Sequence, residues 1–189
     1  MKASRNWCWL FWMIGLGVAI LDLGTKAWVT SALAVGESRA WLAGSVRLYH
    51  LPEVNRGAFL ALGNHWGPTA NYVFGGVSAA VIVVLAGLHT RPTVRHSACL
   101  SAALGCIFGG AAGNLHDRFR FGGVRDFLQL FLPLGSKEYV PFTAVFNLAD
   151  TALLTGALLL LLASWFAPLC DAKPNSQDRS AAGCHSNSI

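Results

Sequence analysis

Two carboxylates stand beside apolar stretches, and for one of them the sequence offers little nearby to neutralise it. Asp150 lies in Phe146-Asn147-Leu148-Ala149-Asp150 at the start of a long apolar run, and the nearest upstream basic residue is Lys137. Asn147 and Asp150 are three residues apart, so a helix puts them on one face. Asp126 follows the turn-forming pair Gly122-Gly123 and precedes apolar Phe127 and Leu128. Burying a carboxylate's charge is costly unless partners stabilise it. Two that converge would share one proton, so that one activates a water while the other protonates the substrate oxygen or leaving group. Taken alone, Asp150 also fits a structural carboxyl satisfied by asparagine and backbone.

Other polar residues recur at the same helical spacing. Asp22, Thr25 and Lys26 fall at i, i+3 and i+4, as do Asn114, Asp117 and Arg118. The simplest reading of the first set is an interfacial ion pair ending a helix, with Lys26 reaching toward the headgroups. The simplest reading of the second is an Asp117–Arg118 salt bridge. Gly105, Gly109 and Gly113 are spaced four apart, with Gly110 adjacent, a ridge that permits close approach of helices. Other chemistries find no support: there is no HExxH, GxSxG or Walker loop. The six histidines are scattered, the five cysteines form no CxxC pair, and an Asp pair alone supplies too few ligands for a metal. No metal and no cofactor are expected.

The elements that must carry these residues are membrane helices. The chain has 189 residues, 54% hydrophobic and 12% charged, with a mean hydropathy of +0.49. Soluble domains carry about 25% charged residues, so the composition argues against a water-soluble globule, and it excludes a disordered chain. The net charge of +5 comes without a basic block, which argues against nucleic acid and for basic residues flanking membrane spans. The apolar stretches predict four transmembrane helices near residues 7–29, 70–88, 97–115 and 143–167. Residues 1–168 read as a single membrane domain and 169–189 as a polar, disordered cytoplasmic tail. The first stretch reads as a retained helix rather than a cleaved leader, because Asp22 and Lys26 intervene before Ala32-Leu33-Ala34.

Four spans place both termini on one side, together with the tight basic turn His89–His96. Cytoplasmic termini would leave eight of the 14 Lys and Arg on the far side. The positive-inside rule applies to short loops, however, and there density favours cytoplasmic termini. In the longer loops, Ser45–Leu51 suggests a short strand and Leu128–Phe142 a hairpin or irregular segment, together a small extramembrane cap.

These residues match a family pattern. The run from Gly109 through Arg118, then Gly122, Val124, Asp126 and Phe127, resembles the GGxxGNxxDRxxxGxVxDF signature of bacterial lipoprotein signal peptidases, or signal peptidase II. Phe146–Asp150 is similar to that family's FNxAD block, Asp22–Lys26 to its DxxTK block and Asn55–Phe59 to its NxGxxF block. The resemblance implies an all-α polytopic protein of four transmembrane helices with a small periplasmic β-cradle. It implies an aspartyl endopeptidase that cleaves prolipoproteins just before their diacylglyceryl-modified cysteine. By motif position, Asp126 and Asp150 would be catalytic. Asn55, Asn114, Arg118 and Asn147 would bind substrate or orient the pair, and Asp22, Lys26 and Asp117 would support them. The implied partners are diacylglyceryl-prolipoproteins and membrane lipid, and a monomer is expected. The implied setting is the bacterial inner membrane, with cytoplasmic termini and a site near the periplasmic face. The Asn55 block is one residue shorter before Phe than the common form, and the resemblance assigns Arg56 no role.

Two rival classes remain open on sequence. A proton-coupled transporter using Asp22 and Asp150 would call for repeats or several midplane charges, which the chain lacks. A non-enzymatic assembly factor built on the glycine ridge would leave Asp126, Asn147 and Asp150 unexplained.

Overall fold

A computed structural model describes residues 6–57, 66–134 and 138–170. Ala58 and Phe59 of the second block and residues 171–189 of the tail lie outside them. Four helices are long and apolar enough to cross a membrane. They are α1 (Cys8–Ala32), α2 (Pro68–Leu88), α4 (Ala98–Phe121) and α5 (Leu148–Cys170), with the one-turn α3 (Pro92–Arg95) in the basic turn between α2 and α4. Pro68 and Pro92 occupy the first helical turn, where a missing N–H costs nothing. The Ser97 hydroxyl caps α4 by accepting from Leu100 N at 3.3 Å.

Helix α4 is the hub. Half of its apolar stretch is buried within the protein, against 6% for α2, so α4 alone is largely shielded from lipid. The glycine ridge explains how. A Cβ on Gly105 would lie 2.8 Å from the Phe11 carbonyl oxygen, and one on Gly109 would collide with Gly15 O and Val18 of α1. Gly110 faces the other neighbour: a Cβ there would lie 2.6 Å from Ala149 O of α5. From α5, Gly156 returns the contact onto Ala103 O and Ile107. With no hydrophobic drive between helices in lipid, such backbone proximity supplies the packing. Gly109→Val is therefore expected to destabilise the bundle by about 3 kcal/mol, read as a lower unfolding midpoint in detergent. An unshifted midpoint would refute the ridge as the α1–α4 seam.

The remaining elements form one antiparallel sheet in the order β1 (Ser38–Trp41), β2 (Val46–Tyr49), β3 (Leu128–Leu134), β4 (Glu138–Pro141). The strand near Ser45–Leu51 and the hairpin over Leu128–Phe142 thus form as expected, whereas β1 carried no alternation that would announce it. Phe127 and Leu48 pack with Val29 and Leu33, which seats the sheet on the end of α1. At the opposite end, Phe11, Leu85 and Leu104 form a second cluster.

Two helix boundaries differ from expectation. Helix α4 runs past residue 115 to Phe121, because Asn114, Asp117 and Arg118 find buried partners and need not leave the bundle. Helix α5 starts at Leu148 rather than near 143, because Phe146 is bridged to Leu128 beside the sheet.

Candidate active site

The site is assembled where α4 ends and α5 begins. Gly122 takes a left-handed conformation (φ 72°, ψ 16°) that closes α4 and turns the chain, a geometry glycine adopts without strain. The following segment is stitched on both sides. Asn55 and Val124 exchange backbone hydrogen bonds of 2.8 and 2.7 Å, while Phe127 N and Leu128 N donate to Phe146 O at 3.0 and 2.8 Å. A Cβ on Gly123 would come within 2.9 Å of Asn55 O, so only glycine permits this approach. Asp126 is thereby held, buried, between the Asn55 loop and the start of α5.

Asn147 is the hinge of the arrangement. It precedes the first residue of α5, and its Oδ1 accepts from Asp150 N at 3.0 Å while Asp150 Oδ2 accepts from Asn147 N at 3.2 Å. This reciprocal capping box satisfies two donors that the helix start would otherwise orphan. The Asn147 side-chain amide then donates to Asp126 Oδ1 at 2.7 Å, tying the second carboxylate to the same residue. Asn55 Nδ2 donates to Asp126 Oδ2 at 2.8 Å, and Asn114 Nδ2 donates to Asp150 Oδ1 at 2.9 Å. Both carboxylates are thus oriented by neutral amides. Burial, with the nearby Asp150 charge and against the hydrogen bonds of the two asparagines, pushes the Asp126 carboxyl up to about 6.

Behind Asn114 lies a buried ionic layer. Lys26 Nζ donates to Asp22 Oδ2 at 2.7 Å and Asn114 Oδ1 at 2.9 Å, and lies 3.4 Å from Asp117 Oδ2. Asp22 Oδ1 also accepts from Ala149 N of α5 at 2.9 Å. Lys26 and Asp22 are fully buried, so the expected interfacial, headgroup-seeking Lys26 is corrected: three acceptors inside the bundle outcompete water. Thr25, from the same block, bonds only carbonyls of its own helix. The expected Asp117–Arg118 bridge is likewise corrected, since neighbours on a helix point apart. Asp117 is instead gripped by Arg125, through its backbone N–H at 3.0 Å, Nε at 3.1 Å and Nη2 at 2.7 Å. Arg118 donates to the carbonyls of Arg56 (3.0 Å) and Gly57, and Asn71 Nδ2 donates to Arg118 O at 3.3 Å.

The nine candidate site residues therefore gather in one region: the two carboxylates, four residues around them and three in the ionic layer. Sequence reasoning missed Arg125 and Asn71 as members. Asn71 was detectable only as a polar residue opening an apolar span, and Arg125 is hidden because the Gly122 turn breaks the helical spacing.

A cavity of about 250 Å³ opens on the pair, lined by Asn55, Asn114, Arg118, Asp126 and Asp150. Its apolar wall comes from Phe74, Val77 and Val81 of α2, with Ala111 of α4 and Leu153 of α5. Helix α2 packs on α4 without comparable contact with α5, so the cleft lies between α2 and α5. Such a site can bind an extended or helical apolar chain and present an acid and a base to one bond. Among the described residues, no cluster of three or more His, Cys, Asp or Glu is placed to hold a metal.

Comparison with known proteins agrees along most of the chain. A family model described as signal peptidase (SPase) II matches residues 14–166. A lipoprotein signal peptidase of Desulforapulum autotrophicum is 35% identical over 144 residues, covering 76% of this chain and 84% of that protein. One from Yersinia pestis is 32% identical over 172 residues, covering 89% of this chain and 91% of that protein. Two solved bacterial membrane enzymes share the fold. One has a TM-score of 0.70 at 18% identity, covering 100% of this chain and 99% of the other. The second has a TM-score of 0.66 at 21% identity, covering 86% of this chain and 97% of the other.

Proposed function

Since the chain belongs to the signal peptidase II family, a family of bacterial multi-pass membrane peptidases that remove signal peptides from prolipoproteins, we propose that Asp126 and Asp150 perform the hydrolysis as an aspartyl pair. The observation that carries the reading is the single residue Asn147, whose side-chain amide holds the Asp126 carboxylate and whose backbone N–H holds that of Asp150 at the edge of an apolar cleft. The ionised member takes a proton from a water lying between them, and the protonated member donates to the scissile carbonyl oxygen. The resulting tetrahedral intermediate collapses as the amide nitrogen is protonated, releasing the signal peptide. Oriented amides cost no reorganisation as charge develops, which is where such a preorganised site gains rate.

The substrate is a membrane-anchored helix whose lipidated cysteine follows the scissile bond. The cleft between α2 and α5 suits such a chain arriving sideways through lipid, and Arg118, holding the Arg56 and Gly57 carbonyls, shapes its rim. The short turn carrying Arg91 and Arg95 supports a cytoplasmic end there, and with it cytoplasmic termini and a site at the outer face.

Incubating the purified protein with a diacylglyceryl-prolipoprotein is expected to yield a product whose new N-terminus is the lipidated cysteine. Cleavage of the unlipidated precursor alone, or at another bond, would overturn the reading. The pH profile follows from Asp126. Below about 6 it keeps its proton, and above that it loses it, so the pair becomes doubly charged and lacks its acid. We expect kcat/KM, which reports the free enzyme, to fall on the alkaline side of about 6. In kcat the same limb should lie higher, because bound substrate dries the site. A profile flat across that region would contradict the assignment.

A further inference from the structure

Between the signature residues Val124 and Asp126 the family pattern leaves one position unspecified, and this chain fills it with a cation. We propose that Arg125 is a positioning residue for the reaction: it balances the buried charges behind the pair and so sets the pH range in which Asp126 holds its proton. The inference rests on the reading of Asp126 and Asp150 as the reacting pair.

The geometry is specific. Arg125 closes a fork on Asp117, with Nε to Oδ2 at 3.1 Å and Nη2 to Oδ1 at 2.7 Å, and its own N–H donates to Oδ2. Its guanidinium also lies 4.2 Å from the centre of the Phe121 ring. The fork pins the residue before Asp126 to the last turns of α4. The charge matters as much as the grip. Asp22, Lys26, Asp117 and Arg125 carry two charges of each sign and together sum to zero. The groups that hydrogen-bond the carboxylates are neutral amides, so the field at Asp126 is set by charges further out.

Those charges can be named. Helix α1 contributes Asp22 and Lys26, α4 contributes Asp117, Arg118 and the half-exposed His116, whose Nδ1 lies 3.6 Å from Asp117 Oδ1, and α5 contributes Asp150. On the other side a cavity of about 290 Å³ brings His50 and Glu53 of the β2–α2 connection near Asp126 and Arg125. Without Arg125, Lys26 would face Asp22 and Asp117 alone and leave one net negative charge. At an effective dielectric near 20, a unit charge ~10 Å from a carboxyl changes its titration by roughly one pH unit.

The test measures kcat/KM against pH for the purified enzyme and a lipidated prolipoprotein. Arg125→Gln is expected to move the alkaline limb up by roughly one pH unit. Arg125→Lys loses the fork but keeps the charge, so its limb should stay in place even if kcat falls. Asp117→Asn combined with Arg125→Gln removes one charge of each sign and should return the limb to its original position. An unmoved limb in Arg125→Gln overturns the proposal, as does an equal shift in Arg125→Lys. Should Arg125→Gln not fold, an upward shift in the double variant overturns it as well. Loss of cleavage in Asp126→Asn and Asp150→Asn separates these outcomes from failure of the underlying reading, under which those variants would still cleave.

Discussion

Asp126→Asn and Asp150→Asn are each expected to lower prolipoprotein cleavage by about 10³-fold or more while leaving the protein folded. Removing a general acid or base costs about 10² to 10⁴ in rate, and members of a pair that acts as a unit are not additive, so the double variant should be little worse than either single one. Folding survives because the amide keeps most of the local bonds. At position 150, an Asn Oδ1 can still accept from Asn147 N and preserve the capping box. At position 126, one of the two donors, Asn55 or Asn147, would meet an NH₂ instead of an oxygen. That mismatch costs about 1–3 kcal/mol. Cleavage assays with unfolding midpoints on the same samples check both parts. Retained cleavage by either purified variant would remove that residue from the proposed pair.

The second large effect is on stability. Lys26→Met should destabilise the protein by about 3–5 kcal/mol, the usual consequence of leaving a buried charge without its partner. Lys26 is the one cation on Asp22 among the described residues, and Asp117 would keep Arg125 and the half-exposed His116 ring 3.6 Å away. Asp22→Asn added to Lys26→Met should recover part of the loss, since Asn Oδ1 can still accept from Ala149 N while the uncompensated charge is gone. The contrast distinguishes charge from packing: if the double variant is no more stable than Lys26→Met, the ionic account fails. Asn114 loses its Lys26 donor in both variants, so activity should stay low even where stability returns.

Much of this was legible in the residues. Runs of uncharged apolar residues announce membrane helices because each buried charge in lipid is expensive, and the rare charges left in such a chain must be serving something. Spacing by three and four correctly put Asn147 with Asp150 and Asn114 with Asp117 on shared faces, since helical geometry is local. It found the Asp22–Lys26 pair but not where the pair points: Lys26 turns inward to Asn114 and Asp117 of α4 instead of to the headgroups, and adjacency failed at Arg118, which bonds the Arg56–Gly57 backbone and not Asp117. The pattern Asn147-x-x-Asp150 is a helix-start signature, but the apolar run alone placed the start near 143, five residues before α5 begins.

By itself, then, the sequence determined that the chain spans a membrane, which few polar residues are set apart for chemistry, and which faces the glycines open for packing. These are properties of composition and of periodicities a few residues long. Only the tertiary structure decided that Asp126 and Asp150, far apart in the chain, meet through one asparagine. It alone decided that Lys26 turns inward and that Arg125 closes the ionic layer behind them. Charge partnership depends on distance through space. The Gly122 turn and the close α1–α4–α5 seams that create those distances act across segments that no local pattern connects.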